Sequence, residues 1–167
     1  MQNFSEYLTN LNRKIKIPKK EIMFICIGTN EIIWDSIGPY VGTYLKQKIR
    51  EEIIIGDLKN NICSKNDLKK YYPKIENKFI IAIDSAITEK GLQGEIFITD
   101  KPLIMGAGIN KNKGKIGNIS IKASVNKNIK DKNYIKEYSK MVSKGLYYWY
   151  ENIIKNNTSK WSAIFIY

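Results

Sequence analysis

IMFICIGTNEIIWDSIGPYVG, residues 22–42, is the stretch that decides the fold. Its first six residues, Ile22–Ile27, are apolar and uncharged, which is how a strand of a parallel sheet buried on both faces reads. Gly28 ends the run, and Pro39 suits the first turn of a following helix, where its missing N–H leaves no bond unmade. Asp35 stands in the loop between them, directly after Trp34. In an open α/β sheet, ligands bind outside the carboxyl ends of the strands. Asp35 is therefore placed where chemistry usually sits.

A second acid is placed the same way. KFIIAID, residues 78–84, is another apolar run that ends in a carboxylate, followed by Ser85 and Ala86. If the two strands are neighbours in a parallel sheet, Asp35 and Asp84 point into one crevice. Close carboxylates do not both ionise easily, so one pKa rises and a proton is shared. Such a pair can activate water and protonate a leaving group. The ordinary alternative for each Asp alone is structural, because its side chain bonds readily to backbone N–H groups at strand ends.

Three blocks taken together resemble the YyaC-like sporulation proteins of spore-forming bacteria. They are GTNEIIWDSIGPYVG, then IDSAITEKGLQGEI, then PLIMGAGINKNKGKIGNISIKASVN, and they span roughly residues 20–127. More distantly they are similar to germination protease, which degrades small acid-soluble spore proteins, and in fold to hydrogenase-maturation proteases. The resemblance implies a peptidase whose catalytic aspartates are Asp35 and Asp84, acting on a peptide or small spore protein in the cytoplasm of the sporulating cell or forespore, with no cofactor. Asn30, Ser36, Ser85, Gly106 and Gly108 are the candidate substrate-binding positions in and beside these blocks. The relatives usually carry an acid where Asn30 stands, so a charge role there is lost. The alternative is a non-catalytic sporulation protein that keeps the fold to bind peptides.

The absence of histidine from the chain excludes a Ser-His-Asp triad and a Cys-His dyad. It also argues against zinc, since two cysteines leave only carboxylates as further ligands; no metal is expected. Cys26 in a buried strand and Cys63 in a connection do not make a disulfide framework and fit a reduced setting. No segment approaches the roughly 20 apolar residues that cross a bilayer, and the N-terminus lacks a secretory pattern. The net charge of +12 comes almost wholly from Lys, with Arg13 and Arg50 the only arginines. Specific readers of nucleic acid favour Arg for its bidentate contacts. A solvated Lys surface, with at most weak and salt-sensitive binding of nucleic acid, is the expectation.

At 167 residues the chain fits one domain, residues 1–167, able to bury a core. An amphipathic helix is expected over Phe4–Lys14, strands over Ile22–Ile27, Glu52–Ile55, Phe79–Asp84, Gly94–Thr99 and Asn118–Val125, and an edge strand over Ser162–Tyr167. Further helices are expected over Pro39–Lys48, over Lys65–Tyr72 (capped by Ser64 and broken by Pro73) and over Asn133–Ile154 after Asp131. In the last of these, Tyr134, Tyr138, Val142, Leu146 and Trp149 form an apolar stripe suited to core packing. Residues 105–117 hold four glycines, either a loop whose backbone N–H groups approach a ligand or a plain surface connection. The alternation of elements predicts a three-layer α/β/α sandwich with a mostly parallel central sheet, of the phosphorylase/hydrolase-like type.

Overall fold

The computed structural model describes residues 22–88, 93–105 and 114–162, with side chains up to residue 153. In chain order the elements are β1 (Ile22–Cys26), α1 (Ile37–Lys46), β2 (Ile54–Ile55), α2 (Lys65–Leu68), α3 (Tyr72–Ile75), β3 (Phe79–Thr88), β4 (Ile96–Thr99), β5 (Leu103–Ile104), β6 (Lys115–Ile116), β7 (Ile119–Asn126) and α4 (Lys132–Ser162). The main sheet runs β2-β1-β3-β7-β4. Its first four strands are parallel, and β4 alone runs antiparallel, against β7.

Strand alternation divides the core into two layers. Ile22, Phe24 and Cys26 of β1, Ile81 and Ile83 of β3, and Ile119, Ile121, Ala123 and Val125 of β7 face α1 and α4. Phe24 meets Trp149 and Tyr150 of α4 edge-on, at centroid distances of 6.3 and 6.0 Å, contacts worth about 0.5–1.5 kcal/mol each beyond area burial. Met23, Ile25, Ile27, Ile80 and Ala82 point the other way, onto Leu68, Ile75, Leu103 and Met105. Helices thus flank a mostly parallel sheet, the three-layer arrangement that the alternation of elements implied.

The chain leaves β1 over one face through α1 to reach β2, then crosses the other face through α2 and α3 to reach β3. From β1 the chain moves to β2 on one side, and from β3 it moves to β4 and β7 on the other, so the crevice between the carboxyl ends of β1 and β3 is the topological switch point of the sheet.

Several expectations shift in detail. Pro73 does not break a helix but sits in the first turn of α3, where its fixed φ and absent N–H are tolerated. The strand expected over Glu52–Ile55 is mostly a 3-10 turn, Glu51–Ile53, leaving two residues to pair. On β7, Ser120 and Ser124 alternate with Ile119, Ile121, Ala123 and Val125, yet both serines are buried. Asp131 caps α4 as expected, its Oδ1 accepting from the N–H groups of Asn133 (2.8 Å) and Tyr134 (3.2 Å). Cys26 is buried in the core, and the Cys63 thiol donates to the Gly28 carbonyl at 3.4 Å. The Phe4–Lys14 helix, the last run beyond residue 162 and the tip of the glycine-rich segment lie outside the described residues.

Candidate active site

Pairing between β1 and β3 ends at Cys26 opposite Ile83, yet β3 runs on beside β7 to Thr88. From Asp84 onward β3 has lost its β1 neighbour, and the loop that follows β1 comes to lie there. Gly28 turns the chain with φ +130°, in space where a Cβ would stand 2.0 Å from the Asp35 carbonyl oxygen. Ten residues on, a Cβ on Gly38 would stand 1.9 Å from the Ile27 carbonyl oxygen. Only glycine at both places lets the two ends of the loop close on each other. A 3-10 turn at Ile33–Asp35 then carries the Asp35 side chain over the end of β3.

Asp35 is held from two sides. The Thr29 N–H donates to its Oδ2 at 3.0 Å, and the Ser85 hydroxyl donates to its Oδ1 at 3.3 Å. Donors aimed at a carboxylate favour carrying negative charge there. Asp84 is treated differently. The residue is half-buried by area, but its carboxyl group is ringed by protein atoms, and that loss of water, followed by the negative charge of Asp35, pushes its pKa up to about 8. The Ser85 N–H, 2.8 Å from Oδ1, and the charge of Lys122 act in the opposite direction and do not overcome it. At neutral pH the crevice therefore offers a protonated acid beside a hydrogen-bonded carboxylate.

The remaining expected site positions divide. Ser85 joins the pair through both its N–H and its hydroxyl. Asn30 spends its amide on the scaffold, donating to the Leu58 carbonyl at 2.8 Å and accepting from Asn61 at 2.9 Å. These bonds tie the Asp35 loop to the turn after β2. Ser36 is buried, its hydroxyl turned back onto the Ile33 carbonyl at 2.7 Å, which closes the 3-10 turn. Gly106 and Gly108 lie outside the described residues. Sequence reasoning missed the Gly28–Gly38 clamp, whose trace was two glycines bracketing the acid. It missed Lys122 as well, whose trace was one charge in a strand otherwise built of small and apolar side chains.

Residues 1–154 match the family described as a protein of unknown function, DUF1256. The chain belongs to the DUF1256 family. Within it, the chain is 35% identical over 118 residues to the uncharacterized protein YyaC of Bacillus subtilis (strain 168), a match that covers 66% of this chain and 56% of that protein. This DUF1256 chain thus spans little more than half the length of the curated relative it matches. In fold it is similar to the NiFe hydrogenase maturation protease HycI from Thermococcus kodakarensis KOD1, with a TM-score of 0.53 at 16% identity. That likeness covers 78% of this chain and 92% of the other. The resemblance to YyaC-like proteins and the fold kinship with maturation proteases, both anticipated from the sequence blocks, are borne out. Among the described residues no helix is long and apolar enough to cross a membrane.

Proposed function

We propose that this chain is a peptidase of the sporulating cell, hydrolysing peptide bonds of small spore proteins with Asp35 and Asp84 as its catalytic pair. The observation that carries the reading is the pairing at the switch point: Asp84 keeps its proton up to about pH 8 beside Asp35, which has donors to hold it as an anion. Asp35 takes a proton from water as the water oxygen bonds to the peptide carbonyl carbon. Asp84 gives its proton to the leaving nitrogen as the C–N bond breaks. A protease-like fold agrees with this chemistry without requiring it.

The test is digestion of small spore proteins by the purified chain at pH 7. Asp35→Asn and Asp84→Asn, near-isosteric and unable to exchange a proton, should each lower kcat by about 10²–10⁴-fold. The double variant should be little worse than either, because the pair acts as one unit. Cleavage at the wild-type rate by both single variants overturns the aspartate mechanism. Binding without cleavage by the wild type would assign the crevice to the non-catalytic, peptide-binding role.

A further inference from the structure

Lys122 is the one charged residue on β7, and the strand register sets it directly opposite Asp84 on the neighbouring parallel strand. Register partners on adjacent strands stand about 4.8 Å apart and send their side chains to the same face. The face is fixed by the neighbours. Ile121 and Ala123, on either side of Lys122, point into the layer under α1 and α4, so Lys122 points away from it. On β3, Ala82 points into the opposite layer, and Asp84 follows two residues later on the same side. Lys122 is half-buried, where charges interact more strongly than in water, and among the described residues no carboxylate lies within ion-pair distance of its ammonium. Among the described residues the charged groups acting on Asp84 are Asp35, from the loop after β1, and Lys122, from β7.

We propose that Lys122 is a positioning residue for this site: the fixed counter-charge against which Asp84 gives up its proton. Its catalytic meaning rests on the peptidase reading. In that reaction the pair carries one negative charge throughout, and the charge changes place. It begins on Asp35. When Asp35 has taken the proton of water and Asp84 has passed its own to the leaving nitrogen, the charge rests on Asp84. Asp35 then returns its proton to Asp84 and the cycle is restored. The two carboxyls are not equivalent toward a cation on β7: Lys122 stands opposite Asp84, so it favours the charge in its final position and eases departure of the amine. Without Lys122 the desolvated Asp84 would hold its proton too firmly to serve as the acid.

The experiment follows the carboxyl carbon of Asp84 by NMR between pH 4 and 10 in the wild type, Lys122→Met and Lys122→Arg, with Lys122→Gln as a second neutral variant. The melting temperature is recorded for each. The titration midpoint should move to higher pH in both neutral variants and return toward the wild-type value in Lys122→Arg. With a cleavable spore protein, the neutral variants should lose kcat by roughly tenfold or more with KM little changed, and Lys122→Arg should recover most of it. An Asp84 midpoint unmoved in folded Lys122→Met or Lys122→Gln overturns the inference whatever the activity. A midpoint that moves as expected, in a protein that cleaves no peptide, sustains the counter-charge and overturns only the peptidase reading.

Discussion

Asp57 and Asp84 are both carboxylates brought below the surface at the carboxyl end of a parallel strand, and they are handled in opposite ways. Asp57 follows β2 and is 7% exposed. Its Oδ2 accepts from the Lys46 ammonium at 2.6 Å, and its Oδ1 accepts from the N–H groups of Lys59 and Asn60 at 2.7 and 2.8 Å. Burial alone would raise its pKa, but the Lys46 bond, the two backbone donors and the Lys46 charge outweigh burial and lower it. Asp84 receives one backbone donor, faces another carboxylate and has a cation, Lys122, only across the strand register, so burial wins. A fold that needs a buried acid for architecture surrounds it with donors and a cation. A buried acid left beside a like charge carries a cost that architecture does not explain, and acids of that kind cluster at functional sites.

The largest stability effect belongs to the satisfied acid. Lys46→Met strips Asp57 of its cation and should cost about 3 kcal/mol in urea unfolding at pH 7, the lower end of the range for a broken buried pair because Lys46 keeps 20% exposure. Asp57 titrates below its unfolded value, so its contribution is present at neutral pH and is lost as the pH falls through the lowered folded pKa. The penalty of Lys46→Met should accordingly shrink in acid. A variant as stable as the wild type at pH 7 would erase the contrast between the two acids.

Asp84→Asn should act with the opposite sign. Between about pH 4, where a free Asp ionises, and about pH 8 the folded chain keeps a proton on Asp84 that the unfolded chain has released. Stability from this group is therefore full below pH 4 and lost as the pH rises toward 8. Replacing the acid should raise stability at pH 9 by about 1–3 kcal/mol and change it little at pH 4. Thermal melts of both proteins across this range decide the matter, and equal destabilisation at both pH values would mark Asp84 as a structural acid like Asp57.

Ser85→Ala should have the smallest effect. It removes the 3.3 Å hydroxyl bond to Asp35 but leaves the Thr29 N–H in place. A cost of about 1 kcal/mol is expected, below the ~1.5–3 kcal/mol of a well-formed bond to a charged group because 3.3 Å is long for a hydroxyl donor, and it is read by the same melts. A loss comparable to that of Lys46→Met would mean that Ser85, rather than the loop, holds Asp35.

Much of this was legible in the sequence. β1 and the first half of β3 announced themselves because both faces are buried and the apolar runs are unbroken. The end of β3 did not, because after Asp84 the strand is half-exposed and, among the described residues, its continuing partner is β7 alone. The burial of Ser120 and Ser124 could not be read from their alternation with apolar neighbours, because alternation reports chemistry, while covering is decided by other parts of the chain. The two aspartates were found from their positions after strands. That they meet depends on β1 and β3 being neighbours, which strand order alone supplies. Ser36 illustrates the converse: its place beside Asp35 suggested contact with substrate, and only the 3-10 turn reveals that its hydroxyl is consumed by Ile33.

The central claim is that Asp35 and Asp84 form one coupled pair. The measurement that tests it most directly is the titration of the Asp84 carboxyl in the wild type and in Asp35→Asn, followed by NMR. The midpoint should lie at about pH 8 in the wild type, and removing the neighbouring charge should lower it, with burial holding what is left of the elevation. A wild-type midpoint in the ordinary carboxylate range, or one that does not respond to Asp35→Asn, would contradict the account.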